Sequence, residues 1–123
     1  MPEDRKTILV VDDAPENIRV LTAVLGTRYR VKAATSGEKA LAICAVDPQP
    51  DLVLLDVVMP GLDGYEVCRR LQAEPRTARI PVIFVTGLVS PEEEAAARAV
   101  GAVDFLRKPI DPDDVTARVA AHL

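Results

Sequence analysis

Short apolar runs alternate along this chain with segments of helical spacing, and a polar residue able to do chemistry stands where four of the runs end. Such alternation marks βαβ units and a parallel sheet, because parallel neighbours need a long crossover that a helix fills. Five strands are expected at about Thr7–Val11, Arg30–Ala34, Leu52–Leu55, Val82–Val85 and Val103–Leu106, the second being polar enough to form an edge. Asp12 and Asp13 follow the first run, Asp56 the third, Thr86 the fourth and Lys108 the fifth. In an open parallel sheet all strands end on one rim, where ligands bind. Two carboxylates, a third, a hydroxyl and an ammonium, far apart in sequence, therefore converge.

The helices carry start and stop signals. The first opens at Pro15 and turns Ile18, Leu21 and Leu25 inward. The second follows a capping box, Thr35-Ser-Gly-Glu38, and runs to about Val46 before Pro48. A third spans about Tyr65 to Gln72. Ser90-Pro-Glu-Glu93 starts the fourth, which Gly101 ends, and Asp111-Pro-Asp-Asp114 starts the fifth.

Composition narrows the class. The 123 residues fit one domain able to bury roughly two-thirds of its unfolded surface, and 49% hydrophobic with 28% charged residues describes a globular chain. A net charge of −4 leaves no basic face for nucleic acid or an anionic membrane. The two cysteines, Cys44 and Cys68, lack metal-ligand spacing and read as buried reduced thiols, so a cytoplasmic location is expected. No run reaches the length of a membrane span, and residues 1–6 lack the apolar stretch of a secretory signal.

Charge dictates what the rim can do. Three carboxylates brought together repel one another and demand a cation, and hard oxygen ligands select Mg²⁺ or Mn²⁺. Such a metal engages phosphate oxygens. Asp56 can then act as nucleophile toward a phosphoryl group, with Lys108 and Thr86 placed to hold its oxygens.

Four segments carry a more specific signal: Ile8-Leu-Val-Val-Asp-Asp13, Asp51-Leu-Val-Leu-Leu-Asp-Val-Val-Met-Pro-Gly-Leu-Asp-Gly64, Pro81-Val-Ile-Phe-Val-Thr86 and Gly101-Ala-Val-Asp-Phe-Leu-Arg-Lys-Pro109. Together they make the chain closely resemble, over essentially its whole length, the CheY-like receiver domain of two-component response regulators. The resemblance implies a doubly wound, flavodoxin-like α/β fold with five parallel strands in the order 2-1-3-4-5 between five helices. It implies one receiver domain over residues 1–123 with no output domain, either standing alone or cut from a larger regulator. It further implies a phosphorylation switch rather than a metabolic enzyme. Asp56 would take a phosphoryl group from a sensor histidine kinase or a His-containing phosphotransfer protein. Mg²⁺ would sit on Asp13, Asp56 and the backbone carbonyl of Val58, with Asp12 nearby through water. Thr86 and Phe105 are implied as the switch pair, the Lys108-Pro109 bond as cis, and the fourth helix, fifth strand and fifth helix as the interaction face, where a homodimer could form.

Departures from the family pattern are mild. Phe105 replaces a frequent tyrosine, and Gly87 follows Thr86 where alanine is common. Val58 and Leu88 are apolar where side chains govern water's access to the aspartyl phosphate, which predicts slow self-dephosphorylation. Val11-Asp-Asp-Ala-Pro-Glu-Asn17 and Gly64-Tyr-Glu-Val-Cys-Arg-Arg70 are similar in wording to receivers that precede cyclic-di-GMP enzymes.

Other functions fit less well. A flavodoxin-like redox protein would need a phosphate cradle after the first strand, where Asp12 and Asp13 repel phosphate. A metal-dependent phosphatase would need a second acid where Val58 stands. The strongest alternative is an interaction module of receiver fold that works without phosphorylation. The acidic run Glu92-Glu93-Glu94 reads as favouring its helix's amino end, and His122, the lone histidine, as terminal and solvated.

Overall fold

In the computed structural model, which describes residues 5–87 and 90–123, strands and helices alternate strictly. They are β1 (Thr7–Val11), α1 (Pro15–Leu25), β2 (Arg30–Ala34), α2 (Gly37–Cys44), β3 (Leu52–Asp56), α3 (Gly64–Ala73), β4 (Val82–Thr86), α4 (Pro91–Ala99), β5 (Asp104–Arg107) and α5 (Pro112–Ala121). All strand pairs are parallel, in the order β2-β1-β3-β4-β5. The polar second strand lies at an edge, as expected.

Period-two alternation explains the layers. Ile8, Val10, Leu52, Leu54, Ile83 and Val85 face one side and pack with Leu21 and Leu25 of α1 and Val115 and Val119 of α5. Their sequence neighbours Leu9, Val11, Val53, Leu55, Val82 and Phe84 face the other, against Ala40 and Cys44 of α2, Val67, Cys68 and Leu71 of α3, and Ala97 of α4. Every residue of β3 and β4 is buried, so covered faces on both sides account for their unbroken apolar runs. Both thiols are free and buried, and burial pushes each up to about 11, which keeps them protonated.

The chain leaves β1 toward β2 on one side and returns to place β3 on the other. The winding reverses between β1 and β3, so the connections leaving these strands run to opposite sides, and the crevice outside the strand ends is where such folds bind ligands. Beneath it the β3–α3 connection is tight. A Cβ built on Gly64 would lie 2.4 Å from the Asp56 carbonyl oxygen, so only glycine fits.

Several boundaries differ from the sequence expectations. Asp56 and Thr86 are the last residues of β3 and β4 rather than the residues after them, since Asp56 pairs with Val85 and Thr86 with Arg107 in the ladder. The last strand is Asp104–Arg107, one residue later than expected. It is polar at both ends, so no apolar run marks where it starts. α2 is capped by Ser36, whose hydroxyl accepts the Lys39 N–H at 3.2 Å, and not by Thr35, and it ends at Cys44. Ser36 has the extended backbone that a cap requires. Ser90 caps α4 as expected, but Glu93 does not reach back to complete the box: its carboxylate accepts the Tyr65 hydroxyl at 2.6 Å. His122 is half-buried and paired rather than freely solvated. Its Nε2 lies 3.1 Å from Asp104 Oδ2, because α5 ends beside β5.

Candidate functional site

The chain passes from β1 into α1 through Asp12, Asp13 and Ala14, and the turn is organised by the Asp12 carboxylate itself. Its Oδ1 accepts the Ala14 N–H at 2.9 Å, a bond available because the first amides of a helix have no intrahelical partner. Its Oδ2 accepts the side-chain amide of Asn17 at 3.1 Å, from the first turn of α1. Asp12 is 2% exposed, whereas Asp13 beside it faces solvent.

Asp56 ends β3 at 5% exposure. Carboxylate oxygens of Asp12, Asp13 and Asp56 all lie within 4.8 Å of one another. The Lys108 ammonium arrives from the end of β5 and sits 3.3 Å from both Asp12 Oδ2 and Asp56 Oδ1. Its backbone is anchored by the Lys108 N–H, which donates to the Thr86 carbonyl at 2.9 Å. The Lys108-Pro109 bond is cis, as is Asp47-Pro48. Thr86 is buried beside this link at 3% exposure.

Burial raises the Asp56 carboxyl above the ordinary carboxylate range, and the Asp12 charge raises it further. Lys108 and the Val58 N–H pull in the other direction without cancelling the rise. Three carboxylates against one ammonium leave a formal charge of −2 when all are ionised. Clustered, oxygen-only and doubly negative, this donor set suits a hard divalent cation. Asp13 presents a solvent-facing carboxylate to this cluster and Asp56 a buried one.

The structure thus brings Asp12, Asp13, Asp56 and Lys108 into one cluster, with Thr86 at the end of the adjoining strand. Val58 lies at the rim, 62% exposed. Phe105 sits half-buried, opposite Phe84 in the β4–β5 ladder, packed against the core cluster on the α4 side of the sheet. Leu88 lies outside the described residues. Asn17 was not foreseen as part of the site. Its one sequence signal is local: asparagine is a poor helix former, and in the first turn after a carboxylate loop it invites a side-chain bond.

Comparison with known proteins agrees with this geometry. A profile of the response regulator receiver domain matches residues 8–120. The chain is 49% identical over 117 residues to a probable cyclic di-GMP phosphodiesterase of Vibrio cholerae serotype O1, covering 95% of this chain and 26% of that protein. It therefore spans about a quarter of that relative's length. The structure superposes on chemotaxis protein CheY4 of Vibrio cholerae with a TM-score of 0.90 at 28% identity, over 97% of this chain and 99% of that one. It is similar also to the receiver domain of sensor histidine kinase PA1611 from Pseudomonas aeruginosa, with a TM-score of 0.86 at 28% identity over 96% of this chain and 97% of the other; that structure holds a magnesium ion in its active-site cleft.

Proposed function

Because the chain belongs to the response regulator receiver domain family, we propose that it is a phosphorylation switch whose acceptor is Asp56. The donor is the phosphohistidine of a sensor histidine kinase or of a His-containing phosphotransfer protein, which places the switch in the cytoplasm. An Asp56 carboxylate oxygen attacks phosphorus, the P–N bond to the donor imidazole breaks, and its electron pair stays on the nitrogen, which takes a proton. Mg²⁺, held by Asp13, Asp56 and the Val58 carbonyl, supplies positive charge to the phosphoryl oxygens when bound.

The remaining work falls to side chains of the rim. Lys108, shared between Asp12 and Asp56 in the resting protein, turns to a phosphoryl oxygen, and the Thr86 hydroxyl donates to another. Phe105 follows Thr86 and turns inward, so that the face of α4, β5 and α5 changes shape. The new charge selects between two pre-existing arrangements, and the favoured one engages an output partner or a second copy. Where the chain is joined to an output domain, likeness to a protein named as a probable cyclic di-GMP phosphodiesterase favours cyclic-di-GMP turnover as the output.

The observation that supports this reading best is the Lys108 ammonium held 3.3 Å from a buried Asp56 whose carboxyl is already disfavoured as a bare charge. The test is intact-mass spectrometry after incubation with acetyl phosphate and Mg²⁺. Gain of one phosphoryl group, absent from a chelated sample and from Asp56→Asn, is the expected result. No gain, with acetyl phosphate or with a phosphorylated histidine donor, leaves the interaction module that works without phosphorylation.

A further inference from the structure

Asp12 carries three donors in the resting protein, and they differ in kind. The Ala14 N–H is fixed by the backbone, the Lys108 ammonium is shared with Asp56, and the Asn17 amide comes from α1 and has no other use in the site. Asn17 and Lys108 meet on the same oxygen, Oδ2, one from the first turn of α1 and the other from the residue that follows β5. When the ammonium turns to a phosphoryl oxygen, a nearly inaccessible carboxylate loses a charge-assisted bond, and a buried acceptor left unpaired is costly. Without a second side-chain donor the carboxylate would either follow the lysine or hold it back.

We infer that Asn17 is a positioning residue for the acidic cluster: its amide keeps the Asp12 carboxylate aimed at the metal position while Lys108 is free to leave. This rests on the proposed phosphorylation switch and assigns a further residue to it. A neutral donor suits the task, because it satisfies Oδ2 without cancelling the charge that recruits a divalent cation. Residues that orient metal-binding carboxylates typically change metal affinity about 10–100-fold when removed.

The experiment is a calorimetric titration of the wild-type protein, Asn17→Leu and Asn17→Gln with Mg²⁺ alone, followed by phosphorylation with acetyl phosphate across the same Mg²⁺ range. Leucine is a better helix former than asparagine, so helix stability predicts no loss in the first variant. Asn17→Leu is expected to weaken Mg²⁺ binding about ten-fold and to raise by a similar factor the Mg²⁺ concentration that half-saturates phosphorylation. Asn17→Gln, which keeps the amide, recovers part of both. Unchanged Mg²⁺ affinity in Asn17→Leu, or a loss confined to melting temperature, overturns the assignment of Asn17 alone. A wild-type protein that binds no Mg²⁺ overturns the phosphorylation switch and this assignment together.

Discussion

Replacing Gly64 by alanine tests whether the phosphoacceptor is held by backbone packing. The added Cβ would lie 2.4 Å from the Asp56 carbonyl oxygen, 2.8 Å from Val57 Cα and 3.1 Å from the Asp56 carbonyl carbon. All three are backbone atoms, so no side chain can rotate away, and the β3–α3 connection must open before the residue fits. Opening it stretches the 2.9 Å bond from the Gly64 N–H to the Val57 carbonyl, about 1 kcal/mol, and adds overpacking of about 1–3 kcal/mol. Alanine recovers at most about 1 kcal/mol of helix propensity at the start of α3. The net expectation is a loss of about 1–3 kcal/mol, read as a urea midpoint lower by roughly 0.5–2 M in unfolding followed by circular dichroism. Gly87→Ala is the control. Among the described residues its Cβ meets nothing within 4 Å, so its midpoint should hold or rise slightly. A Gly64→Ala protein within about 0.5 kcal/mol of wild type, the usual range of neutral substitutions, would refute the reasoning.

Three further outcomes follow from the electrostatics and the rim. Burial and the Asp12 charge raise the Asp56 carboxyl, so the folded state prefers it protonated and its ionisation costs stability at neutral pH. Asp56→Asn should therefore melt at a higher temperature than wild type in metal-free buffer at pH 7, with the gap narrowing on acidification; a lower melting temperature contradicts this. Burial alone would raise Asp104, but hydrogen bonds from His122, the Phe105 N–H and Arg118 outweigh it and hold the carboxyl below the ordinary range. That contribution is present above the unfolded carboxylate value near about pH 4 and is lost as pH falls through the lower folded value. Asp104→Asn should cost about 1 kcal/mol at pH 7 and nothing in strong acid, where a gap independent of pH would count against it. Finally, the exposed Val58 side chain cannot orient an attacking water, so isolated phosphorylated protein should keep its label for minutes with Mg²⁺ present. Loss within seconds contradicts the slow-hydrolysis expectation.

The sequence made the strand framework readable because covered parallel strands must be apolar on both faces, and β1 matches its expected limits to the residue. Where that contrast fades, so does precision. β5 carries Asp104 and Arg107 at its ends, and Thr35 and Ser36 offer adjacent hydroxyls of which only backbone geometry selects one. The cluster of Asp12, Asp13, Asp56 and Lys108 was legible because every strand end lies on one rim, a rule that needs only topology. Pairings across the fold were not. Arg118 and His122 share a helix face at i, i+4 spacing, but nothing local says that Asp104 lies under them. Likewise the acidic run of α4 reads as a helix start until Tyr65, at the start of α3, is seen to donate to Glu93. The amide of Asn17 on Asp12 belongs to the same class, a contact set by where α1 packs.

The central claim is that Asp56, and neither of its acidic neighbours, receives the phosphoryl group. Borohydride reduction of the phosphorylated protein converts an aspartyl phosphate to homoserine, and peptide mapping by mass spectrometry then locates it. Homoserine at position 56 and nowhere else is the predicted result. Homoserine at Asp12 or Asp13, or a phosphorylated protein with none at position 56, would contradict the account.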